Sequence, residues 1–350
     1  MKAAVITQPN APLELWDIGL PFRPDGRHCG PSQILVEILC SGICGAQLKE
    51  ISGEKGNAAW MPHLCGHEAA GIVRETGPGV NVQLIGKKCV LHWRKGDGGE
   101  SIHPARYDVR GGSTVGGGHV TTLCEQAIVS ANRVTVVPND VPNELCALLG
   151  CGLSTALGTI EQEAKLKFGE SILIVGCGGV GLNLIQAAKL ACAYPIVGMD
   201  MVPEKSAVVM NMGAHSFWDA KNGACCGMGK PDKFDVIVDT TGSVEALEKT
   251  IPLLADGGRY VCLGQTKPGE DMRLLSAVNL FHGNDGRRII WSQGGGFRPS
   301  AMIPRYVNLW RAGLLNLEGI VSHHLSLDEV NKGIDLVRAG QAGRVMVMMK

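Results

Sequence analysis

Residues 171–200 read SILIVGCGGVGLNLIQAAKLACAYPIVGMD. This stretch has the pattern of a strand, a tight turn, a helix and a second strand. Ile172, Leu173, Ile174 and Val175 form a continuous apolar run, as expected of a parallel strand buried on both faces. Gly176, Gly178 and Gly181 follow as G-x-G-x-x-G. The glycines serve different ends: Gly176 makes the sharp turn, Gly178 lets backbone approach a pyrophosphate, and Gly181 lets the helix pack close to the strand. The phosphates then meet the unpaired N–H groups at the positive end of the helix. The second run, Ile196 to Met199, ends in Asp200. That is about the twenty-residue spacing at which an acid holds the adenine-ribose hydroxyls. Its charge repels a 2′-phosphate, so NAD is expected over NADP. The glycines, with the polar Asn183, Gln186 and Lys189, speak for a buried βαβ unit and against a membrane span.

The chain has 350 residues, 45% of them hydrophobic, which is enough for two domains with a core each. The 33 basic residues balance the 33 acidic ones, so no charge bias points to nucleic acid or to an anionic membrane. The N-terminus, MKAAVITQPNAPLELWDIG, lacks a signal-peptide core and alternates like a strand, so a soluble cytoplasmic protein is expected. Thirteen cysteines are scattered through a chain too long to need disulfide staples, and read as buried thiols or metal ligands. No internal repeat or long polar linker shows itself. The dinucleotide unit instead stands inserted into a flanking domain, with 150 residues of different character before it.

That flanking part reads as strands and turns. Lys2 to Thr7 is a first strand, and Gln33 to Leu39 (QILVEIL) a half-buried one. After it come Cys40-Ser41-Gly42-Ile43-Cys44-Gly45 and, further on, Pro62-His63-Leu64-Cys65-Gly66-His67-Glu68 before a buried apolar strand. Singly, His67 reads as well as a core histidine and Cys44 as an inert thiol. The third member is Cys151, in Gly150-Cys151-Gly152-Leu153-Ser154-Thr155. Two cysteines and a histidine are the donors of a catalytic zinc site whose fourth position stays open.

GICG around Cys44, GHEAAGIV at Gly66 to Val73, GCGLSTALG at Gly150 to Gly158, IVGCGGVG with Asp200, and DVIVDTTG at Asp235 to Gly242 together resemble a zinc-dependent alcohol dehydrogenase of the medium-chain dehydrogenase/reductase superfamily. The resemblance runs from the first strand to the last. It implies an α/β chain with a GroES-like, mostly β catalytic domain (1–151 and 293–350) and a doubly wound parallel-sheet Rossmann domain (152–292). It further implies that Cys44, His67 and Cys151 bind one catalytic zinc, with Glu68 behind the metal and able to approach it. Gly176, Gly178, Gly179, Val180, Gly181 and Asp200 would hold NAD, helped by Lys205 at the ribose, Thr241 near the nicotinamide and Arg344 at the pyrophosphate. The implied reaction is hydride transfer between NAD and an alcohol, or the reverse on an aldehyde or ketone, in a cleft between the domains. A homo-oligomer, dimer or tetramer, is implied as well. A sugar, polyol or cyclitol hydroxyl is an alternative substrate, motivated by Arg94, Lys95, His103 and Arg106, and a binding role without chemistry is another, motivated by Ala46 and Gln47.

Departures from the family pattern carry expectations of their own. A hydroxyl residue that passes the substrate proton is usual where Ala46 stands, an aspartate behind the zinc-bound histidine where Gln47 stands, and often a relay histidine where Lys49 stands. Gln47 can accept the histidine's bond without adding charge. The proton route stays open between water and Glu68. Residues 92–120 hold no cysteine where many relatives place four, so no structural zinc is expected, although Cys89 and Cys124 flank the segment. The segment reads as a glycine-rich lobe; His92, His103 and His119 could form a second metal site, with a solvated or substrate-facing loop preferred. Phe234 to Asp239, Gly258 to Gly264 and Arg288 to Ser292 read as further sheet strands. Met302 to Ala312 and Leu327 to Arg338 read as helices, the latter capped by Ser326. Cys225-Cys226 read as surface loop.

Overall fold

The computed structural model describes residues 1–267, 269–271 and 286–349. The chain forms two compact units. The first comprises Met1–Cys151, Arg298–Leu309 and Val321–Lys350, and the second Gly152–Phe297 and Trp310–Ile320.

The first unit is built on two sheets. One is a closed barrel in the order Lys2–Ile6, Glu14–Gly19, Arg106–Val109, Ser113–Gly116, His63–Leu64. The other runs Val134–Val136, Lys88–His92, Glu68–Thr76, Gln33–Ile43, Arg344–Met348, Val321–Ser326, with Gln126–Ser130 also on Gln33–Ile43. Gln33–Ile43 is the organising strand. One edge pairs with Glu68–Thr76, while the other pairs first with Gln126–Ser130 and then with Arg344–Met348. It is longer than the sequence suggested, and nearly all of it is buried rather than one face only. Partners on both edges and cover on both faces explain the difference, since a strand in that position has no solvated side. Gly71 permits the pairing with Glu68–Thr76: a Cβ there would meet Val36 Cγ1 at 2.3 Å and Glu37 O at 2.7 Å.

The glycine-rich segment is more ordered than the loop expected of it. Arg106–Val109 and Ser113–Gly116 form a hairpin, turning at Gly111 and Gly112 with φ of 94° and 82°, where only glycine is unstrained. The hairpin pairs with Glu14–Gly19 and His63–Leu64, and so closes the barrel. Tyr107 is fully buried and its hydroxyl accepts the Ile128 N–H at 2.7 Å. Two residues that motivated a polar substrate lobe have partners within it: Lys95 pairs with Glu100, and Arg106 Nε donates to Thr114 Oγ1 at 2.9 Å. His92 is buried with both ring nitrogens engaged, one by Arg94 O at 2.6 Å and the other by Thr135 Oγ1 at 2.9 Å. Burial holds its pKa down at about 4, so it is a neutral structural histidine.

The second unit is a doubly wound sheet in the order Cys225–Gly227, Ser216–Asp219, Ile196–Asp200, Ile172–Val175, Phe234–Asp239, Leu254–Cys262, Arg288–Trp291. All neighbours are parallel except the first pair. Cys225 and Cys226 therefore sit on an exposed antiparallel edge strand instead of a loop. Ile172 to Val175 are all buried at the centre, which stabilises the fold by about 1.5–3 kcal/mol for each such side chain. Of the two C-terminal helices, Pro299–Arg311 begins earlier than its apolar spacing indicated. The second opens as a short turn, Leu327–Glu329, before Val330–Arg338; Glu329 Oε2 accepts from Ser326 N–H and from Ser326 Oγ, each at 3.1 Å. Among the described residues no single helix is long and apolar enough to cross a membrane.

Candidate metal centre and nucleotide turn

Three elements of the first unit end at one point. Gln33–Ile43 delivers Cys44, which caps the helix Gly45–Ile51. His67 arrives through Gly66, whose φ is 100° and where a Cβ would meet Thr122 Oγ1 at 2.4 Å and Leu123 N at 2.7 Å. Only glycine allows that turn, which sets His67 immediately before the strand Glu68–Thr76. Cys151 follows the helix Asn143–Gly150, and Gly150 lets the helix end lie against the sheet: a Cβ would meet Leu91 O at 2.3 Å. Cys44, His67 and Cys151 are all buried, and their donor atoms lie within 4.8 Å of one another. The two sulfurs are 4.0 Å apart. Two thiolates bound tetrahedrally to zinc at about 2.3 Å stand about 3.8 Å apart, so the spacing fits that ion.

The electrostatics of the trio differ from those of the other thiols. Cys44 is held well below the usual thiol range, first by the hydrogen bond from Cys151, then, against the cost of burial, by the charge of Arg344 and by His67. Cys151 is pushed up correspondingly. For His67 burial acts downward, but the bond and charge of Cys44 with the charges of Glu50 and Glu68 outweigh it, and its pKa is raised. Burial instead pushes Cys40 and Cys146 up to about 12. Among the described residues Cys44 is the one thiol driven toward the thiolate, which is the form that binds metals and reacts.

Glu68 lies outside the donor trio. It is completely buried, and its Oε1 is 3.2 Å from Nη1 of Arg344, itself buried and donating to Ile43 O at 3.1 Å. Gly42 makes the space, since a Cβ there would meet Glu68 Oε1 at 2.0 Å. Arg344, expected at a pyrophosphate, thus has a place beside the metal donors that the sequence did not suggest. Gln47 does not face His67 as its position implied. Its Oε1 accepts the Cys44 N–H at 2.5 Å and its Nε2 points to Cys65 Sγ at 3.8 Å. The acid before His67 Nδ1 is Glu50, whose Oε1 is 4.0 Å away. No residue pattern singled out Glu50; the signal available was its position three residues after Gln47, on the same helix face.

In the second unit the glycine turn has the geometry of a phosphate cradle. Gly176 has φ of 87°, and a Cβ on Gly181 would meet Gly176 O at 1.9 Å. At Gly178 a Cβ would meet nothing within 4 Å, so the backbone there is open to a ligand. Gly179 and Val180 start the helix Gly179–Leu190, whose N-cap Gly178 brings no side chain to the first-turn N–H groups. Asp200 ends its strand with Oδ2 accepting from Cys177 N–H at 2.7 Å and from Lys205 Nζ at 3.0 Å. Thr241 is fixed by Asp239, which accepts from its hydroxyl at 2.7 Å and from its N–H at 2.8 Å.

Comparison with known proteins agrees along the whole length. Residues 30–139 match the alcohol dehydrogenase GroES-like domain and residues 179–308 the zinc-binding dehydrogenase domain. The chain is 27% identical to an S-(hydroxymethyl)glutathione dehydrogenase of Paracoccus denitrificans, covering 99% of each. Its fold is similar to that of an alcohol dehydrogenase zinc-binding domain protein from Burkholderia ambifaria (TM-score 0.85, 22% identity, 100% of this chain and 98% of the other). It is also similar to that of benzyl alcohol dehydrogenase from Acinetobacter calcoaceticus (TM-score 0.83, 23% identity, 100% and 99%).

Proposed function

Because the chain belongs to the zinc-dependent alcohol dehydrogenases of the medium-chain dehydrogenase/reductase superfamily, we propose that it oxidises an alcohol with NAD, using a zinc held by Cys44, His67 and Cys151. The observation that carries this reading is the buried trio with its donors within 4.8 Å. A zinc bound there would supply the Lewis acidity that favours loss of an alcohol proton near neutral pH, and the nicotinamide would supply the hydride acceptor.

The chain's own residues do the rest. Cys44 and Cys151 supply the thiolates and His67 the imidazole. Arg344 places its positive charge beside Cys44, and Glu68 balances that charge in a buried setting. Ala46 offers no hydroxyl, so the alcohol proton leaves by a route other than the one usual in this family. Gly176, Gly178, Gly179, Val180 and Gly181 would cradle the pyrophosphate, with Asp200 and Lys205 at the adenine ribose.

Zinc content and the absorbance of NADH across simple alcohols, polyols and sugars test the reading together. About one tightly bound zinc per chain and turnover of one alcohol class are expected; a protein without any metal would sink it. Cofactor choice is tested at Asp200. Asp200→Asn keeps an oxygen for Cys177 N–H but removes the charge that repels a 2′-phosphate. The preference for NAD over NADP in kcat/KM is expected to fall by about tenfold or more. An unchanged ratio would remove Asp200 from cofactor selection.

A further inference from the structure

We infer that Glu50 is the carboxylate that orients His67 toward the metal, one helical turn beyond the position at which the family keeps an aspartate. The inference rests on the proposed zinc site and deepens it. A metal-bound imidazole needs an acceptor behind its other ring nitrogen, which fixes the tautomer and the ring and raises its basicity. The residue at the usual position is engaged elsewhere: Gln47 Oε1 accepts the Cys44 N–H at 2.5 Å and Gln47 Nε2 points to Cys65 Sγ at 3.8 Å. That bond has a purpose of its own, since it closes the N-terminus of Gly45–Ile51 where Cys44 is the cap.

Glu50 stands three residues further on the same face, and a glutamate is one methylene longer than the aspartate it replaces. Its Oε1 is 4.0 Å from His67 Nδ1, an ion-pair distance longer than a hydrogen bond, so the carboxylate acts on the ring by its charge; its Oε2 accepts from Cys65 Sγ at 3.8 Å. With Nδ1 turned to Glu50, Nε2 is the nitrogen left for the metal. Both side chains are largely shielded, 21% exposed for Glu50 and 11% for His67, so the charge acts through little water. Lys55 Nζ, 3.1 Å from the same Oε1, steadies the carboxylate from the solvent side. Glu50 is a positioning residue, acting through His67.

The test measures zinc affinity of the full chain by competition with a chromophoric chelator. Cobalt(II), substituted for zinc, reports ligand geometry through its visible bands. Glu50→Gln keeps the shape and removes the charge; it is expected to weaken zinc by about 10- to 100-fold and to shift the cobalt bands, with the circular dichroism unchanged. Glu50→Asp keeps the charge on a shorter arm and is expected to lose less. Zinc affinity of Glu50→Gln within about twofold of the unsubstituted chain overturns the inference, as does an equal loss in both variants or failure of Glu50→Gln to fold. If the unsubstituted chain binds no zinc, the proposed metal site falls and this inference with it; normal zinc binding with an unaffected Glu50→Gln removes Glu50 alone.

Discussion

Replacing Cys44 by serine is expected to remove the zinc and to lower turnover of the preferred alcohol by about three orders of magnitude or more. A Lewis acid contributes several kcal/mol of charge stabilisation in a transition state, and each 1.36 kcal/mol is about tenfold in rate. Cys44 is one of the two sulfur donors, and its thiol is held toward ionisation by Cys151, Arg344 and His67. A serine hydroxyl in the same place stays protonated near neutral pH and leaves only His67 and Cys151 to hold the ion. Metal analysis and steady-state kinetics on the same preparation decide the matter. Retained zinc with retained turnover would show that the donors lie elsewhere.

Arg344→Met is expected to destabilise the protein by about 3–5 kcal/mol, read from urea unfolding followed by circular dichroism. Glu68 is fully buried, and Arg344 faces it with Nη1 at 3.2 Å. The methionine fills much of the volume but leaves a carboxylate without its counter-charge, which is the costly half of breaking a buried pair. The double variant Arg344→Met/Glu68→Gln should recover most of the loss, because two uncharged groups of similar shape no longer oppose burial. A single variant that costs less than about 1 kcal/mol would mean that the pair is better solvated than its burial indicates. The single variant should also bind zinc more weakly, since the charge that favours the Cys44 thiolate is gone.

Local rules made the second unit legible. The buried strand Ile172–Val175, the turn at Gly176 and the acid at Asp200 each obey a constraint that acts within a few residues, and the structure places them in one βαβ unit. The metal donors were legible only as a set, because Cys44 and Cys151 are 107 residues apart and neither is unusual by itself. What the sequence concealed depends on tertiary neighbours. RYDV and STVG, four residues each, are too short to announce a hairpin, yet barrel closure requires one. Cys225–Gly227 is a strand because Ser216–Asp219 offers it an open edge. Glu50 carries no motif, and its place before His67 appears only once Gln47 is seen turned back on Cys44.

The three donors stand at the ends of a strand, a glycine turn and a helix, and the helix donor lies far along the chain from the other two. An ion held by all three is therefore a clasp as well as a reagent. It would tie three chain segments at one point, and every increment of zinc occupancy would add to the folded population by mass action. Metal supply would then set how long each molecule survives between chaperone and protease, so that starvation for zinc shortens its lifetime as well as halting its turnover.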